Sequence, residues 1–204
     1  DLGECDGLQK LVTHEQNVYL VQISRQGILR VFQFEQMKNG FTQQIFSIRV
    51  PGIPDSGFLE QWSVNITHEA LSLLIDTGTQ QRFYKFGRAS RQLLVDITIP
   101  EIKDGSPLTL VNSKKLNLLY AGQSLYLMTD DVDSLWRAFR EQGNNILDAV
   151  SLSTHHSVLI IDEKLNLEKW SIINVDGEKV LKKFYSLQLA GNKYVAMSHV
   201  GGDL

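Results

Sequence analysis

One cysteine, Cys5, stands in 204 residues, which rules out an internal disulfide and fits a reducing compartment. No stretch approaches the roughly 18 consecutive apolar residues that a membrane-spanning helix needs. An excess of positive charge is missing as well. Twenty Lys and Arg against 23 Asp and Glu leave a formal net charge of −3, with a pI near 6.0. Without a dominant basic stripe to neutralise phosphates, a duplex-binding surface is not expected and nucleic acid is an unlikely partner. The chain is nevertheless too apolar for disorder, at 43% hydrophobic and 21% charged residues. Its start, Asp1-Leu2-Gly3-Glu4-Cys5, is acidic and polar, and reads as neither a signal nor a transit peptide. With no initiator Met, the expectation is a soluble intracellular chain cut from something longer. Asn65-Ile66-Thr67 matches a glycosylation sequon, but single matches of this kind are common by chance.

Catalytic signatures are missing too. There is no Gly-x-Ser-x-Gly elbow, and Cys5 has no paired histidine in view. No Walker loop occurs, and Gly87-Arg88-Ala89-Ser90-Arg91 lacks the spacing to cradle a phosphate. Asp130, Asp131 and Asp133 lack the further oxygen ligands and closing Glu of a calcium loop. Of the five histidines, His14, His68 and His155 fall at matching places in a repeat. That would scatter them one per unit, the wrong geometry for converging metal ligands. His155-His156 is the one adjacent pair, and neighbours on a strand point to opposite faces. No catalytic residue, metal or cofactor is expected.

What the chain does contain is repetition. Thr13-His14-Glu15 leads into Val18–Val21, Thr67-His68-Glu69 into Leu71–Ile75, and Thr154-His155-His156 into Val158–Ile161. Asn112–Lys115 leads more loosely into Leu116–Tyr120, and Gly191-Asn192-Lys193 opens a fifth copy with Tyr194–Met197 behind it. A polar turn follows each run, then a second strand: Ile28–Phe34, Arg82–Phe86, Leu125–Met128 and Leu165–Trp170. Flanking strands are expected upstream at Leu8–Val12, Trp62–Ile66, Leu108–Val111 and Ile146–Leu152. Downstream they are expected at Gln44–Val50, Leu93–Ile99 and Val180–Leu187. Four strands per unit is the composition of a propeller blade. Intervals of 54, 46 and 42 residues separate His14, His68, Lys114 and His156. Blades run to about 40–45 residues, so the first unit carries an insertion, with Pro51–Gly57 the candidate. The expected fold is all-β: one β-propeller over 1–204, about four to five blades, and part of a larger ring.

One segment breaks the pattern. Val132, Leu135, Trp136 and Phe139 make an i, i+3, i+4, i+7 stripe between Asp131, which can cap a helix, and Gly143, which can end one. A short helix is therefore expected near 131–142, its aspartates favourable to the helix dipole. An irregular outer strand is the alternative.

The basic cluster Arg82, Lys85, Arg88 and Arg91 is interleaved with Phe83, Tyr84 and Phe86. It reads as a half-exposed strand, charges out and aromatics in, facing solvent or a partner. A stacking surface for bases is the weaker reading. Trp62, Trp136 and Trp170 read as blade-packing residues, one of which could anchor an interface. Trp136, Arg137, Arg140, Arg82, Lys85 and Arg88 are the expected partner-binding residues.

The units resemble WD-type repeats in architecture, without the Gly-His and Trp-Asp dipeptides; Trp170-Ser171 is the nearest to a closure. Residues Asn17–Phe32 are similar to a blade in the propellers of the Y-shaped outer-ring nucleoporin complex. Vesicle coats, tethers and a large kinetochore component are related. The resemblance implies a non-enzymatic scaffold that docks protein subunits, with further blades or an α-solenoid in the full-length protein. A peptide- or tail-recognition module and a propeller enzyme with acids or histidines around its channel are the other classes to weigh.

Overall fold

The computed structural model describes residues 7–14, 16–35, 40–53, 61–76, 80–99, 109–111, 117–128, 137–140, 143–152 and 157–191. These form sixteen strands in four antiparallel sheets, each a simple meander. Sheet 1 runs β1 (Leu8–His14), β2 (Asn17–Ile23), β3 (Ile28–Glu35), β4 (Gly40–Arg49). Sheet 2 runs β5 (Gln61–Ile66), β6 (Ala70–Asp76), β7 (Gln81–Gly87), β8 (Leu93–Ile99). Sheet 3 runs β9 (Thr109–Val111), β10 (Asn117–Ala121), β11 (Ser124–Met128), β12 (Arg137–Arg140). Sheet 4 runs β13 (Ile146–Leu152), β14 (Ser157–Asp162), β15 (Asn166–Val175), β16 (Glu178–Gln188). The fold is all-β, and the sheets are β-propeller blades.

The chain divides into two compact units, Asp1–Glu101 and Ile102–Leu204, with two sheets in each. In the first, β1 lies beside β5. One face of each sheet meets in a shared core: Val21, Val31 and Phe46 from sheet 1, Leu73, Tyr84 and Phe86 from sheet 2. In the second, β9 and β13 are neighbours, and Leu118, Leu127, Val158, Ile160 and Trp170 share a core. Burying a side chain of this size removes enough apolar surface from water to contribute about 1.5–3 kcal/mol.

The second strands are apolar runs rather than alternating ones because they are buried on both faces: every residue of β6 from Ala70 to Ile75 is buried. Rim strands alternate instead, as β1 does over Leu11–His14.

Turn chemistry sets the registers. Thr67 Oγ1 accepts from the Ala70 amide at 3.0 Å and donates to its carbonyl, closing the β5–β6 corner. Ser24 Oγ accepts from the Ile28 amide at 3.1 Å across the β2–β3 turn. Asp176 and Gly177 both take positive φ, 52° and 87°, the two-residue turn whose twist matches a hairpin, and so carry β15 and β16 well past Trp170. No atom lies within 4 Å of where a Gly177 Cβ would stand, so only backbone conformation opposes a side chain there. Gly177→Val is expected to cost about 1 kcal/mol, read as a lower urea midpoint with an unchanged slope.

Two expectations are corrected. Arg137–Arg140 is strand β12, paired antiparallel with β11 through Leu127↔Arg137, Tyr126↔Ala138 and Leu125↔Arg140, not helix. The exposed ladder of β11 offers backbone partners that a four-residue helical stripe cannot outweigh. His14 and His68 are not equivalent. His14 is a buried strand residue facing Asn17, whereas His68 is exposed in a turn closed by Thr67 and Ala70. The cause is a one-residue difference in where the two-residue turns sit. The outer hairpin of the first blade is also longer, with eight residues in β3 and ten in β4 against seven each in β7 and β8, and most of the expected Pro51–Gly57 insertion lies outside the described residues. Asn65 is buried in β5, in keeping with a chance match to the sequon. Cys5, Asp130, Asp131, Asp133, Trp136, His155, His156 and Tyr194–Met197 lie outside the described residues.

Candidate functional site

The site is a groove of about 360 Å³ between the two sheets of the first unit. Its floor is apolar: Val31 from β3, Ile45 and Phe46 from β4, Ile66 from β5 and Leu71 from β6. Its rim is polar: Gln33 from β3, His68 from the β5–β6 turn, and Arg88 with Ala89 from the turn after β7. A small apolar pocket with a few placed polar groups is the usual form of a ligand site.

Arg88 is fixed from behind. Its Nη1 donates to the Thr67 carbonyl at 2.8 Å and its Nη2 to the Tyr19 hydroxyl at 3.3 Å. The guanidinium sits 5.4 Å from the centre of the Tyr19 ring, a cation–π arrangement. Its own amide donates to the Glu69 carbonyl at 2.9 Å, lacing the two turns together. These acceptors are neutral, and among the described residues no carboxylate pairs with Arg88. Gln33 is oriented in the same way, donating from Nε2 to Asn17 Oδ1 at 2.9 Å.

The basic cluster is split by the strand it lies on. Arg82, Tyr84 and Phe86 share one face of β7, and Phe83 and Lys85 the other. Phe83, Tyr84 and Phe86 are at most 1% exposed, because both faces of β7 are covered. The aromatics are therefore inside as expected, while Arg82 and Lys85 are half-buried on opposite faces rather than gathered on one open face, and none of the three rings offers a face to a base. Arg82 is held by Asp96 at 2.6 Å and stands 5.4 Å from the Tyr84 ring centre. A Cβ at Gly52, which has φ of 71°, would fall 1.9 Å from its Nη1. That glycine lets the Pro51–Gly52 turn close over sheet 2, where Tyr84 Oη donates to the Pro51 carbonyl at 2.6 Å. Burial pushes the Tyr84 phenol up to about 12, with Arg82 pulling it down and Asp96 raising it. Lys85 is half-buried, and Arg91 lies exposed in the turn with φ of 55°. Of the expected partner residues that are described, Arg88 alone lines the groove. Arg137 and Arg140 stand at the two ends of β12, and Trp136 precedes it outside the described residues.

In the second unit Trp170 packs in the core, as its reading from the repeat expects, and Trp62 packs against the core of the first. Trp170 Nε1 donates to Glu168 Oε2 at 3.0 Å, while Lys183 Nζ donates to Oε1 at 3.3 Å and lies 5.9 Å from the indole centre. Asp162 belongs to the polar turn expected after Val158–Ile161, but the repeat does not show its role there. It closes the β14–β15 turn, accepting from the Lys164 and Asn166 amides at 3.0 and 2.9 Å and from the Asn144 and Asn166 side chains at 2.9 Å. Burial works to raise its carboxyl, but these bonds outweigh it and hold the group below the usual carboxylate range. The signal was an Asp at the end of an apolar strand run, before a Glu-Lys turn.

Among the described residues, no three His, Cys, Asp or Glu converge as a metal would require, and no helix is long and apolar enough to cross a membrane.

No protein-family model matches this chain, and no curated protein matches it. Among solved structures it is similar to the crystal structure of the RRP9 WD40 repeats, at 12% identity and a TM-score of 0.47. The match covers 87% of this chain, which spans about half (54%) of that one. A likeness at that level carries no functional argument.

Proposed function

We propose that this chain is a non-enzymatic interaction propeller, a scaffold that holds protein subunits of a larger intracellular assembly. Both units are read as portions of one ring. The carrying observation is the groove: a preformed apolar floor with an Arg fixed at its rim, built on rigid strands. A rigid frame that presents turns and grooves needs no conformational chemistry to dock a partner. The Asn17–Phe32 resemblance makes a nuclear pore scaffold, at the nuclear envelope, the first assembly to test. Vesicle-tethering and kinetochore scaffolds, in cytoplasm or nucleus, come next. Trp136, Arg137, Arg140, Arg82 and Lys85 remain proposed partner contacts beside Arg88.

The groove also favours a second reading, a receptor for a peptide or tail, since its size suits one or two side chains rather than a broad flat interface. Affinity purification of the full-length protein from its native cell, with quantitative mass spectrometry, separates the two. A defined set of subunits at stoichiometric ratio supports the scaffold; a changing set of substoichiometric clients supports the receptor. A monomer with no stable partner would sink both.

A further inference from the structure

The groove has a chemistry more specific than stickiness. We propose that it takes an internal segment of a partner protein in which an aromatic or branched aliphatic residue stands next to Asp or Glu. This rests on the interaction-module reading and names the partner class for that site.

The apolar half of the argument is the floor. Val31, Phe46, Ile66 and Leu71 are buried or line the cavity, and a volume of about 360 Å³ accommodates one large side chain with a neighbour. An apolar floor alone would accept any greasy residue, so the rim decides the class. Among the described residues, Arg88 is the one formally charged residue lining the groove, and no carboxylate lines it. Its two donated bonds go to the Thr67 carbonyl and the Tyr19 hydroxyl. A guanidinium has five donors, so among the described residues three remain uncommitted. The backing bonds and the Tyr19 ring hold the fork in place, so little side-chain entropy is lost when an anion arrives. A carboxylate is the planar acceptor that this fork matches in two-point geometry. Gln33, held by Asn17, stands on the same rim, and among the described residues its carbonyl oxygen is left to accept from a peptide N–H. The ligand is thus read at three points: an apolar side chain down, a carboxylate to Arg88, and backbone to Gln33.

The test is selection of random octapeptides, displayed with both ends blocked by flanking sequence, on the folded chain. Enriched sequences are expected to place Asp or Glu next to an aromatic or branched aliphatic residue. Ala89 is exposed on the rim beside Arg88, so it can carry a charge without disturbing the core. Ala89→Glu is expected to weaken the selected peptides at least tenfold, and Ala89→Lys to leave them equal or tighter. Arg88→Gln should lose the preference for the acid while keeping that for the apolar residue. Circular dichroism melts of each variant separate lost binding from lost folding. Enrichment without an acid, equal binding by the Glu and Lys variants, or no enrichment at all would each overturn the proposal. If the full-length Ala89→Glu protein still recovers its stoichiometric subunits, the peptide chemistry fails while the scaffold reading stands.

Discussion

Phe86→Ala is expected to destabilise the first unit by about 4 kcal/mol, in the middle of the range for truncating a core aromatic. Phe86 is fully buried where the two sheets meet. Its ring stands edge-on to Phe46 at 5.8 Å between centres and stacks on Tyr84 at 6.1 Å. Truncation forfeits the transfer of the ring, leaves a cavity where the two sheets meet, and removes two aromatic pairs, each worth about 1 kcal/mol. Because Phe46 also floors the groove, the same change should loosen the site. Hydrogen–deuterium exchange reads both effects, with protection falling in β2, β3, β6 and β7. Phe184→Ala, at a residue 61% exposed on β16, should cost under about 0.5 kcal/mol and serves as the control. Equal losses for the two would mean that the sheets of the first unit do not share a core.

Asp162→Ala is expected to cost the second unit about 3 kcal/mol. The carboxylate is 1% exposed and is the acceptor for two backbone amides of its own turn. Removing it strands those donors, and bonds to a charged acceptor are worth about 1.5–3 kcal/mol each without adding fully. The turn has little to fall back on, because Leu165 already takes a positive φ of 60° that a branched side chain tolerates poorly. The pH dependence follows from the direction of the shift. The folded carboxyl titrates below its ordinary value of 3.8, so its contribution is complete above that value. It is lost as pH falls through the folded pKa. Urea midpoints between pH 2 and 7 should drop at the acid end for the wild type, and drop less for Asp162→Asn. A variant curve parallel to the wild type would contradict this role.

The blades were legible because several local signals agree at each one. In β6 an apolar run ends at Asp76, a polar turn follows, and β7 carries aromatic residues that suit a pleated, covered surface. Where local signals conflict, the ladder wins: the stripe through Phe139 reads as helix, but Arg137–Arg140 pairs with β11. The long β15–β16 hairpin was underread although Asp176-Gly177 announces it, because Asn174 and Val175 lack a buried alternation. His14 and His68 misled for a different reason. A repeat alignment slides by one residue without changing its letters, whereas a strand moved by one residue exchanges its faces. The groove was the least legible feature. Arg88 stood out by charge alone, but its floor comes from residues between Val31 and Leu71 on two sheets, and no linear pattern joins them.

The most direct test of docking at the groove places a photo-crosslinking amino acid at position 89 of the full-length protein in its native cell. A second variant carries it at position 26, in the β2–β3 turn, away from the residues that line the groove. A stoichiometric subunit crosslinked from position 89 and not from 26, through a segment bearing an acid beside a large apolar residue, is the predicted result. Partners crosslinked from position 26 alone, or no partner from either position, would contradict docking at this groove.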